Sequence, residues 1–211
     1  NFFLILTFVL HLSFTFASVL MEGASPRASF SLENKDFFQL SGSFHSGDMV
    51  FNEVVLEDGN FTVISSEGYH SSMLIGFPEL PEIHRLIELP QGAIPRVEIL
   101  EEDFDLHILS DYGISSPLMP HQPSLSKSQQ PDDIPFEIND KAYGQDSFFV
   151  KDLVSIEDKG MLRSMRFANL IIKPVDYNAQ TGIIKVWKHL RFKVHFDGAD
   201  MELTNNIKIK H

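Results

Sequence analysis

The side chains able to do chemistry in this chain are scattered. Nine histidines come first: His11, His45, His70, His84, His107, His121, His189, His195 and His211. None forms an HxxxH or HxH pair beside a carboxylate at metal-ligand spacing, and His189 and His195 fall between strand residues as outward-looking positions. The acidic run Glu98, Glu101, Glu102, Asp103 and Asp105 has the oxygen chemistry for calcium but not the glycine or ligand spacing of an EF-type loop. It reads better as a solvated, charged sheet edge that discourages strand addition. There is no GxSxG elbow, phosphate loop or dinucleotide fingerprint, and Ser126-Lys127-Ser128 is not an SxxK motif. Cysteine is absent, which excludes a thiol nucleophile, a cysteine zinc site and disulfides within this chain. The residues therefore point to no enzyme, no metal and no cofactor.

One cation stands apart. Residues 115–135 read SSPLMPHQPSLSKSQQPDDIP, with Pro117, Pro120, Pro123, Pro131 and Pro135 among Ser and Gln, and Lys127 is the only charged residue between Asp111 and Asp132. Proline fixes φ and removes a donor, so this stretch is no central strand. A loop of this length in a compact domain is either a linker or a functional arm. As an arm, it offers a semi-rigid neutral loop with a single cation, suited to an acidic pocket. The other reading of Lys127 is an ordinary solvated surface lysine.

The elements that would carry such an arm are mostly β. Phe30–Glu33, Phe37–Ser41 and Val50–Leu56 are short alternating or mixed runs, and Asp58-Gly59 ahead of Asn60–Ile64 is a strong hairpin signal. His84–Leu89 and Val97–Leu100 flank a Pro90-Gln-Gly-Ala turn. The best strands are 165–175 (MRFANLIIKPV) and 183–196 (IIKVWKHLRFKVHF), joined by the turn Asn178–Gly182; in the second, Val186, Leu190, Phe192, Val194 and Phe196 keep period-two spacing. No window carries a sustained helical stripe with caps. The pattern predicts an all-β, antiparallel sandwich-like fold with one long Pro-rich loop.

Composition sets the outer bounds. The 211 residues hold 17 Lys+Arg against 29 Asp+Glu, a net charge of −12, which argues against nucleic acid or an anionic membrane as main partner. Residues 2–17 are apolar, without charged side chains, and end Thr15-Phe16-Ala17 with small residues where a signal peptidase cuts. The expected organisation is a signal peptide, truncated at its start, at 1–17; a linker at 18–28; a β-rich domain at 29–199; and at 200–211 the start of a connection to a further domain. Export would deliver the domain to the cell surface or medium via the periplasm.

From about Gly68 the chain resembles the propeptide domain of gingipain-type, caspase-like cysteine endopeptidases. The resemblance is carried by Gly76–Pro81 (GFPELP), Leu86–Gly92 (LIELPQG), Val97–Leu100, Tyr143–Phe149, Leu162–Arg166 and Pro174–Gly182 (PVDYNAQTG). Within these, Pro78, Pro81, Arg163, Arg166, Pro174, Tyr177, Asn178 and Gly182 stand at motif positions; Ala179 departs from the proline often found there, and residues 18–67 match less clearly. The resemblance implies a β-rich pro-domain that assists folding of a protease and blocks its active site in cis. It implies that the catalytic His and Cys lie outside this chain, and that Ser126, Lys127 and Ser128 form the inhibitory loop, with Lys127 at the basic position that enters the specificity pocket. Two other readings stay open: a secreted β-sandwich binding module for carbohydrate or adhesion, and a stand-alone subunit of a secretion machine. A sugar-binding module usually stacks its ligand on exposed Trp and Tyr, and the chain has 1 Trp and 4 Tyr.

Overall fold

The computed structural model describes residues 18–125, 127 and 134–209; the predicted signal segment 1–17 lies outside them. In chain order the strands are β1 (Val19–Met21), β2 (Ser29–Lys35), β3 (Gln39–His45), β4 (Met49–Leu56), β5 (Gly59–Ser65), β6 (His70–Ser71), β7 (Pro81–Leu89), β8 (Ile94–Ile108), β9 (Val154–Leu162), β10 (Met165–Ile172), β11 (Val175–Asn178) and β12 (Ile183–Asp197). Two helices, α1 (Asp140–Gly144) and α2 (Met201–Ile209), complete it. The strands form three sheets: β1-β4-β5; β6-β7-β10-β9; and one centred on β12, which pairs with β3 and β11 on one side and β8 on the other, with β2 beyond β3. All of these pairings are antiparallel, as the alternating pattern predicts. No helix among the described residues is long and apolar enough to cross a membrane.

The central strand serves two cores. Val186 pairs with Asp105 and His189 with Asp103, so Lys188 is an extra residue on β12. One extra residue turns all later side chains to the opposite face. Ile184 and Val186 therefore join Met49, Phe51, Ile64, Leu118 and Tyr177 in one core. Trp187, Leu190, Phe192, Val194 and Phe196 join Phe44, Ile83, Leu89, Leu170 and Ile172 in the other, against the four-stranded sheet. The predicted apolar positions are all buried, but on two faces.

The acidic run lies on β8, an edge strand, as expected. Its charges are answered from β12: Lys188 reaches Asp105 at 3.0 Å, Arg191 bonds Glu101, His195 meets Glu98 at 2.7 Å, and the Trp187 indole donates to Glu102 at 2.8 Å.

Four local details differ from the sequence pattern. Leu56 pairs with Gly59, so the hairpin turn is Glu57-Asp58, one residue earlier than Asp58-Gly59 suggests. The 165–175 run divides at Lys173-Pro174: β10 belongs to one sheet and β11 to another, and only β11 is joined to β12 by the Asn178–Gly182 turn. Helix α2 was not visible as a stripe because little of it is buried. It is set by Asp200, whose carboxylate accepts from Leu203 N at 2.8 Å, and by Thr204, whose hydroxyl accepts from Gln91 N at 2.9 Å. The stretch expected as a linker, 18–28, carries β1, which pairs with β4 and buries Met21.

Candidate functional site

The Pro-rich stretch divides into a docked half and a projecting tip. Residues 117–121 run between the edge of β5 and the segment 77–79. Thr62 N donates to Pro117 O and Met119 N to Thr62 O, both at 2.8 Å; on the other side Glu79 N donates to Met119 O and His121 N to Phe77 O, again at 2.8 Å. Pro78 and Pro120 sit opposite each other in this small ladder, which tolerates prolines because it is an edge extension, not a central strand. Leu118 between them is fully buried in the second core. Its carbonyl accepts from the Tyr143 hydroxyl at 2.7 Å, and burial pushes that phenol well above its ordinary value, so it stays a donor.

Both legs of the tip are then fastened together. The Gln122 amide donates to Glu137 O at 2.8 Å and accepts from Glu137 N at 2.9 Å, a side chain acting as one rung of a strand pair. Phe136 packs on Phe61 with ring centroids 5.2 Å apart. Gly76 ties in from beside them: its N–H donates to His121 O at 2.8 Å and its carbonyl accepts from Asn139 N at 2.9 Å. Asn139 in turn caps α1, accepting from Lys141 N and Ala142 N at 3.1 Å. Above this base Lys127 is exposed on a turn; Ser126 and Ser128 lie outside the described residues.

The other motif residues build the platform and do not converge on the loop. Pro81 is buried and opens β7. Arg166 holds Asp158 through two nitrogens at 3.0 and 2.6 Å and donates to Ala93 O at 2.9 Å, pinning the β7–β8 connection to the β9–β10 hairpin. Arg163 sits at the tip of that hairpin with φ 55°, a strained value for a side-chain-bearing residue. Pro174 ends β10 and its carbonyl accepts from Trp187 N at 2.9 Å. Tyr177 is buried; the Asn178 side chain accepts from Gln180 N and Thr181 N, closing the turn, and Gly182 takes φ 64°. Between them Asp176 is 1% exposed, and its carboxylate accepts from Phe149, Val150 and Tyr177 N–H groups at 2.8–3.0 Å. Burial nevertheless pushes its carboxyl above the ordinary value. No group of three or more His, Asp or Glu that would hold a metal ion occurs among the described residues.

Sequence reasoning missed Gln122, Glu137 and Phe136. Nothing local marks them, since each partner lies across a long loop. Tyr143 lay in a motif without an assigned role.

The Propeptide_C25 family model matches residues 39–209. The chain belongs to this family of gingipain-type propeptides. The segment is thus a propeptide, not a catalytic domain. It is 34% identical over 183 residues to Lys-gingipain HG66 of Porphyromonas gingivalis, covering 87% of this chain and 11% of that protein. It is 24% identical over 152 residues to gingipain R2 of the same organism, covering 70% of this chain and 19% of that protein. The propeptide thus spans about a tenth of the length of its Lys-gingipain relatives. Its fold matches a chain from a structural study of the zymogenic latency of gingipain K from Porphyromonas gingivalis, with TM-score 0.78, 33% identity, and 87% of this chain and all of that one covered. A complex of the Porphyromonas gingivalis RgpB pro- and mature domains shares the fold alone, with TM-score 0.68 and 19% identity over 81% of this chain and 85% of that one.

Proposed function

We propose that this propeptide keeps a secreted gingipain-type cysteine endopeptidase latent by offering Lys127 to the acidic specificity pocket of the enzyme domain in its own precursor, and that it assists the folding of that domain. The observation that carries this reading is the geometry of the Lys127 loop. A lone cation stands exposed on a turn whose two legs are clamped by Gln122–Glu137 and Gly76. A clamped loop loses less freedom on binding than a free one, so more of the contact energy remains as affinity. The arm sits in the substrate's position with Lys127 before the position of the scissile bond. The enzyme would therefore accept Lys, or Lys and Arg, there. Export rests on residues 1–17, with cleavage after Ala17.

The relatives' names add support, since Lys-gingipain and the gingipain K latency study concern proteases and their zymogens. A sugar-binding module is disfavoured by the aromatics: Trp187 and Tyr177 are buried, Tyr69 and Tyr143 are partly so, and Tyr112 alone among them is exposed, against His107.

The test is inhibition of the separately prepared enzyme domain by this propeptide. Lys127→Ala should raise the inhibition constant about tenfold or more, and Lys127→Arg should retain most of it if the pocket takes both cations. An unchanged constant for Lys127→Ala overturns the loop assignment.

A further inference from the structure

A ridge of large apolar side chains stands at the foot of the Lys127 loop. Met73, Leu74 and Ile75 are 75%, 59% and 50% exposed. Single exposed apolar residues are ordinary, but three in succession on a fixed backbone mark a contact surface. The backbone here is held on both sides of the ridge. Ser72 N donates to Leu80 O at 2.8 Å, Leu80 N to the Ser72 hydroxyl at 2.9 Å, and Phe77 N to Leu74 O at 3.1 Å. Gly76 closes the ridge with φ 77°, and a Cβ there would crowd Asn139 N at 3.1 Å. Behind it lies a cleft of about 670 Å³, bounded by Met73, Leu74 and Phe77 on one side and Phe149, Lys151 and Asp152 on the other. Phe77 and Phe149 meet edge to face at 6.0 Å across its floor, and Asp176 holds the Phe149 wall in place.

The position of the ridge identifies its partner. Gly76 is bonded to His121 on one leg of the Lys127 loop and to Asn139 beyond the other, so the ridge and the base of that loop are fastened together. His121 and Lys127 are six residues apart in the chain, a reach of about 20 Å when extended. Lys127 therefore lies no more than about 20 Å from the residue that anchors the ridge, within the footprint of a globular partner. We propose that Met73, Leu74 and Ile75 form a second docking element, seated on an apolar surface beside the specificity pocket of the same cysteine endopeptidase domain. This rests on the function proposed above. Two contacts on one folded body bind together with an effective concentration that neither has alone. The ridge supplies affinity that does not depend on which side chain fills the pocket.

The test combines Met73→Ser, Leu74→Asp and Ile75→Ser in one variant, chosen because all three side chains are exposed and the melting temperature should not fall. Against the enzyme domain of the same precursor, added separately, the inhibition constant should rise about tenfold or more. A second measurement uses enzyme whose active site is already filled by a covalent peptidic inhibitor, so that Lys127 has no pocket. The unaltered propeptide should keep weak binding to it, and the triple variant should lose it. An unchanged inhibition constant, or equal residual binding by both proteins, overturns the proposal. So does sedimentation showing that the propeptide pairs with a second copy of itself and that the triple variant abolishes this. If Lys127→Ala has no effect while the triple variant does, the ridge stands and the loop reading falls; the reverse result does the opposite.

Discussion

Residues 115–122 and the turn carrying Lys127 come from one Pro-rich stretch and end in opposite states. The first half gives its backbone to Thr62, Phe77 and Glu79 and buries Leu118; Leu125 and Lys127 stand exposed. Proline content does not separate them, since both contain it. What separates them is the residue between prolines. Leu118 gains about 1.5–3 kcal/mol from burial, enough to hold an edge extension that prolines alone would leave loose. Lys127 has no such gain, and Leu125 near it finds no core and is 47% exposed, so this part of the stretch stays available to a partner.

The contrast can be broken most severely at Leu118. Leu118→Ala should cost about 2–5 kcal/mol in urea unfolding, because it leaves a cavity in the second core, and inhibition should fall with the fold. Lys127→Ala should do the reverse: about tenfold or more in inhibition, near 1.4 kcal/mol, with a stability change within about 0.5 kcal/mol. Gln122→Ala lies between them. It leaves Glu137 N and O without their partner at the neck of the loop and should cost about 1 kcal/mol of stability with a few-fold loss of inhibition. A variant that lost stability but no inhibition would deny the neck any part in presenting Lys127.

The smallest effect is a control on the platform. The Arg166 guanidinium, and then the Gly160 N–H, hold Asp158 below its ordinary carboxylate value of 3.8. A lowered carboxyl contributes stability that is complete above the ordinary value and is lost as pH falls through the lowered one. The Asp158 side chain is 43% exposed, so screening limits the pair to about 1 kcal/mol or less. Wild type should melt slightly above Asp158→Asn at pH 6, and the difference should shrink as pH falls below 3.8. A difference that persisted there would mean that the carboxylate's charge is not what matters.

Much of this was legible in advance because it is local. The alternation of β12, the charged edge of β8 and the Asn178–Gly182 turn are all written in neighbouring residues. Lys127 was legible by contrast with its uncharged surroundings. The division of 165–175 between two sheets was signalled by Pro174, but which sheet each part joins depends on partners far along the chain. The face change at Lys188 was hidden because apolar residues occupy even positions on both sides of it, so the spacing looks unbroken. The Gln122–Glu137 neck and the Met73–Ile75 ridge were invisible for the same reason: each has meaning only once His121, Gly76 and Asn139 are neighbours in space.

The late position of β12 in the chain has a consequence for folding. It is the strand both cores require, and its residue His189 pairs with His45 across almost the whole domain. Such long-range pairing closes slowly, since the intervening chain must be ordered first. Until β12 is in place, the sheet beneath the Lys127 loop lacks the strand that both cores share. The platform is therefore a late product of folding, finished only when the last strand closes.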